Sequence, residues 1–170
     1  ELSLSVNGTT VATASGTAIE HLFEAAESGS FLVQCAATNA DGAAAEAEAV
    51  VHVMPDVPPT APVPAGSEDG ITYLSDTSVR LQLYAPFKDF VFVVGDFTDW
   101  ELDLDYLMTR SPDATRYWIE IDGLTPGVEY RFQYHILPDD LRVADAYSEK
   151  VLDPWNDGWI PESTYPDLIP

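Results

Sequence analysis

Four apolar residues in a row, Val91-Phe92-Val93-Val94, run straight into Gly95-Asp96-Phe97-Thr98-Asp99-Trp100. No other stretch limits the fold as much. An unbroken run of β-branched and aromatic residues reads as a strand covered on both faces, because a half-exposed strand would alternate with polar residues. Gly95 then offers a permissive backbone, and Asp96 and Asp99 offer turn chemistry. Trp100 follows at once, so its ring must either pack back onto the sheet or face a ligand.

The rest of the second half repeats the signal at short intervals. Strands are expected over Ile71–Leu74, Ser78–Tyr84, Asp89–Val94, Tyr106–Thr109, Thr115–Ile121, Glu129–Ile136 and Leu141–Ala144. Turn residues separate them at Ala85-Pro86, Ser111-Pro112-Asp113, Thr125-Pro126-Gly127 and Pro138-Asp139-Asp140. Short strands at this spacing predict a β-sandwich over residues 68–152. Trp118 sits between Tyr117 and Ile119 and shares a face with Glu120, which predicts a half-covered outer surface.

Residues 55–67 hold five prolines and read as an extended linker. Before it, residues 1–54 read as a small immunoglobulin-like β unit. Leu2, Leu4 and Val6 alternate with serine, and Asn7-Gly8 marks a hairpin turn into Val11–Ala14. Further strands are expected over Ile19–Phe23, Ser30–Thr38 and Ala43–Val53, the last despite an alanine-rich, helix-favouring start. A unit this small is marginal alone and reads as short of one or two leading strands. The expected class is therefore all-β, two immunoglobulin-like β-sandwich domains in tandem.

Net charge is −22 at pH 7. Such a chain repels phosphate backbones and anionic membranes, so neither nucleic acid nor membrane insertion is expected. No run approaches the ~18 apolar residues of a membrane helix. The single cysteine, Cys35, shares parity with Phe31 and Val33 and is expected in a core. His52 and His135 are isolated, so neither a metal site nor a cofactor is expected. The chain starts at Glu1 and reads as a piece of something longer.

Three segments fall in a telling order: Gly95-Asp96-Phe97-Thr98-Asp99-Trp100, Leu124-Thr125-Pro126-Gly127-Val128-Glu129-Tyr130-Arg131-Phe132, and Ala144–Asp157 with its Asp153-Pro154-Trp155. Together they resemble the N-terminal β-sandwich of glycoside hydrolase family 13 enzymes, which is related to the family 48 carbohydrate-binding module. The resemblance implies an α-amylase-like, extracytoplasmic parent (cell surface, periplasmic or secreted) that acts on α-glucans of the starch or glycogen type. The parent's catalytic carboxylates would lie beyond Pro170, and no residue of this chain is nominated as catalytic. In the family members that bind glucan, the tryptophan matching Trp100 stacks on a sugar and a basic residue matching Arg131 donates to sugar hydroxyls, so the resemblance implies these roles for Trp100 and Arg131. A second tryptophan platform is missing, since Arg142 or Val143 stands where its ring is expected.

Residues 153–170 resemble the joint between such a sandwich and the catalytic domain. Trp155, Trp159 and Tyr165 are the expected docking rings for that domain. The partners implied are therefore the chain's own C-terminal catalytic domain and an α-glucan. The acids Asp96, Asp99, Asp103 and Asp105 read as a solvated loop. A competing reading is a cell-surface immunoglobulin-like spacer or adhesion module with no carbohydrate role, suggested by the proline linker.

Overall fold

The computed structural model describes residues 1–152 and Trp159. The chain is all-β, with three antiparallel sheets and, among the described residues, no α-helix. It divides into two compact units, the first built on Glu1–Val57 and the second running from Pro58.

The first unit is one four-stranded sheet in the order β2-β1-β3-β4, made of β1 (Leu2–Val6), β2 (Thr9–Ala14), β3 (Gly29–Thr38) and β4 (Ala44–Val53). Asn7 and Gly8 both take positive φ, the geometry of the tight hairpin turn their sequence suggests. At the next hairpin, the Asn39 side-chain oxygen accepts from the backbone N–H of Asp41 and Ala43. The alanine-rich run is a strand, paired residue for residue with β3 from Ala44 to Val53. A ladder that long outweighs the few tenths of a kcal/mol per residue by which alanine prefers a helix. Register places Leu2, Leu4, Phe31, Val33, Cys35, Ala47 and Val51 on one face. Cys35 lies on that face but is only half-buried, not the core residue its pattern predicts.

Ile19–Phe23 forms no strand. Its apolar positions 19, 22 and 23 do not alternate, so no sheet face could bury them together. Leu22 is left exposed, while the Phe23 ring meets Phe31 edge-on at 4.9 Å.

In the second unit, β5 (Gly70–Ser75), β6 (Ser78–Tyr84), β8 (Thr109–Arg110) and β9 (Arg116–Ile121) form a sheet in the order β5-β6-β9-β8. A second sheet joins β7 (Phe90–Gly95), β10 (Phe132–Leu137) and β11 (Leu141–Val143) in the order β7-β10-β11. Leu81, Tyr117 and Ile121 from the first sheet pack against Val91, Val93, Tyr134 and Ile136 from the second, with Met108 between them. That shared core makes the unit a sandwich. The opening run is buried on both faces: Val91, Phe92, Val93 and Val94 are each at most 1% exposed.

Two expectations change here. Tyr106–Thr109 is not a strand. A 3-10 turn over Leu104–Tyr106 leads into the two-residue β8, and Met108 N donates to Val91 O on the way. The segment thus steps from the edge of one sheet to the other, which a straight strand could not do. The proline-rich stretch is also not wholly a spacer. Arg110 N donates to Pro59 O and Ala61 N to Arg110 O, so residues 59–61 extend the edge of β8. Trp118 lies on the outer face of that sheet, half-buried as expected, its indole N–H reaching Ala61 O.

Candidate functional site

The site begins where β7 ends. A Cβ at Gly95 would collide with the Arg131 carbonyl oxygen and with Phe132, so β7 and β10 approach this closely only because residue 95 is glycine. Gly95 O accepts from both Thr98 N and Trp100 N, and Thr98 Oγ1 accepts from Gly95 N. The loop is therefore closed on itself. Closure drives Asp99 and Trp100 into left-handed backbone, at φ 50° and 63°. Aspartate tolerates that region, whereas a residue as bulky as tryptophan is a genuine outlier, costing on the order of 1–3 kcal/mol.

Asp96 organises the loop. Its carboxylate accepts the Trp100 indole N–H at 3.2 Å, the Arg131 backbone N–H at 2.8 Å, and the Arg131 Nε and Nη2 at 3.1 and 2.9 Å. Asp96 N returns a bond to Arg131 O. Burial alone would raise the Asp96 carboxyl. The hydrogen bonds from Arg131 and Trp100 outweigh it and hold the group below its ordinary value. Asp96 is thus no solvated-loop acid, correcting its grouping with Asp99, Asp103 and Asp105. Trp100 and Arg131, far apart in sequence, are brought together through one carboxylate.

Trp100 and Arg131 border an open groove of about 1060 Å³ within the second unit, which Tyr73 and Tyr130 also line. Phe97 stacks on Tyr106 at 5.1 Å and leans on Tyr130 at 6.5 Å, and Tyr130 Oη accepts from Thr125 N. Tyr73 is 64% exposed. Its hydroxyl is raised by burial first and by neighbouring Glu149 second. The groove combines ring faces with charged groups of both signs.

Arg142 and Val143 lie on β11 opposite His135 and Tyr134. Asp145 beside them is buried, accepting the Tyr134 hydroxyl at 2.8 Å and Tyr147 N at 2.8 Å. Trp159 is 80% exposed. Trp155 and Tyr165 lie outside the described residues. Sequence reasoning missed Asp96, Tyr73 and Tyr130 as members of the site. The turn motif signals an aspartate at 96, but nothing local says which strand it will clamp. Among the described residues no group of three or more His, Cys, Asp or Glu is placed to hold a metal ion, and no helix is long and apolar enough to cross a membrane. No protein-family model matches this chain, and no curated protein matches it.

Proposed function

We propose that this chain is the non-catalytic N-terminal accessory region of an α-amylase-like, family 13 glycoside hydrolase. It scaffolds the catalytic barrel and binds α-glucan weakly through the Trp100 groove. One observation carries the reading: an indole held in strained backbone, its N–H tied to the Asp96–Arg131 pair, at the border of a groove lined by further aromatic rings. Strained backbone of this kind clusters at ligand-binding sites, where the surrounding structure holds it. Apolar C–H faces of a glucose unit would cover the ring and lose water there. With Arg142 or Val143 in place of a second ring, the stacking contribution is about 1–2 kcal/mol smaller than two platforms would give, or roughly tenfold in affinity. Exposed Trp159 supports the docking half of the proposal.

Affinity electrophoresis in gels containing amylopectin or glycogen tests it. The wild-type chain is expected to be retarded and Trp100→Ala to run freely. Equal mobility of the two proteins in both gels would refute glucan binding and favour the spacer reading.

A further inference from the structure

Tyr73 stands where its strand would bury it. Register sets Ile71 opposite Leu81 and Tyr73 opposite Val79 on β6, with Ile119 and Ile121 next across on β9. Leu81 and Ile121 are core residues, and Ile71, Val79 and Ile119 pack against that core. Alternation therefore turns Tyr73 toward the interior of the sandwich. It is nevertheless 64% exposed.

The reason lies in the facing sheet. Its strand β11 stops after three residues, at Val143, and residues 144–152 form no strand. That irregular stretch is what meets β5. Gly70 lies against the Tyr147 Cβ, and Glu149 stands beside the Tyr73 hydroxyl. The sandwich thus ends short over Tyr73, and the opening is the groove that Tyr73 shares with Trp100.

Two details fit the ring to a ligand. Its hydroxyl is held at Glu149, so one end of the ring is anchored while much of its apolar surface stays open. Trp100 stands elsewhere on the same groove. It follows β7, which is bonded to the segment entering β8 through Met108 N and Val91 O. β5 and β8 are opposite edges of one sheet, roughly 14 Å apart at ~4.8 Å per strand. A ligand that covers both rings is therefore longer than one sugar. We infer that Tyr73 is a second stacking platform for α-glucan, supplied by the other sheet in place of the ring missing at Arg142 or Val143. The groove then selects by chain length: a long glucan covers Tyr73 and Trp100 together, and a short one settles on the larger Trp100 ring alone. The inference rests on the glucan reading of the groove.

NMR titration of the whole chain with maltotriose and with maltoheptaose, read from backbone amide shifts, tests it. Tyr73→Ala should weaken maltoheptaose binding about fivefold to tenfold, the loss expected of one stacked ring, and should change maltotriose binding by less than about twofold. Each comparison is made at one sugar, so the number of registers that a long chain offers cancels. Tyr73→Phe restores the ring and should recover maltoheptaose binding to within about twofold of wild type. Unchanged maltoheptaose affinity in Tyr73→Ala, where Trp100→Ala loses it, overturns the platform and leaves the groove reading standing. Equal losses for both sugars also overturn the proposal, because the ring would then not select by length. A Tyr73→Phe variant as weak as Tyr73→Ala overturns it too, by assigning the effect to the Glu149 contact. A wild-type chain that binds neither sugar overturns both readings together.

Discussion

Replacing Asp96 by alanine removes the acceptor for four N–H groups at once. The Asp96 and Arg131 side chains remain 24% and 32% exposed, so water recovers much of the ion pair, which counts for only ~1 kcal/mol. The Arg131 backbone N–H and the Trp100 indole N–H lose a charge-assisted acceptor, at about 0.5–1.5 kcal/mol each. The expected cost is about 2–4 kcal/mol, a fall in Tm of roughly 10 °C or more for a unit of this size. All four tryptophans follow residue 57, so tryptophan emission during heating reports the second unit without the first. The pH dependence has a definite sign. Asp96 is held below its ordinary 3.8, so its stabilisation is complete above that value and is lost as the pH falls through the folded-state value. The gap between wild type and Asp96→Ala should therefore be full at pH 7 and shrink steadily below pH ~4. A variant melting within ~0.5 kcal/mol of wild type at pH 7, or a gap that does not narrow in acid, would refute the clamp.

Gly95→Ala should cost about 1–3 kcal/mol in urea unfolding, because the new methyl meets backbone on β10 rather than a side chain able to move away. Tyr134→Phe leaves buried Asp145 without its hydroxyl donor and should lower stability by about 2 kcal/mol, read from the urea midpoint at constant m. Phe87 is 98% exposed at φ 65°, so Phe87→Gly should raise stability by about 1 kcal/mol in the same assay, and any loss would show that its ring is held in place.

Much of this architecture was legible from residue order. The Val91–Val94 run demanded cover on both sides, and alternation placed β6 and β9 close to their observed bounds. Asn7-Gly8 announced a hairpin because few residue pairs accept two positive φ angles. These features depend on neighbours in the chain, where period and turn chemistry act. Ile19–Phe23 misled because composition resembled a strand while spacing did not.

The meeting of Trp100 with Arg131 is different in kind. Both residues were singled out, yet Asp96, which joins them, read as an ordinary turn acid. Its role depends on β7 and β10 lying side by side, close enough only because Gly95 has no side chain. The exposure of Tyr73 at a core-facing position likewise needed the register of β5, β6 and β9. Sequence by itself determined which residues alternate, turn or bury, since those preferences are local. Tertiary structure alone decided which polar groups share a site, because hydrogen bonds reach about 3 Å in space irrespective of separation along the chain.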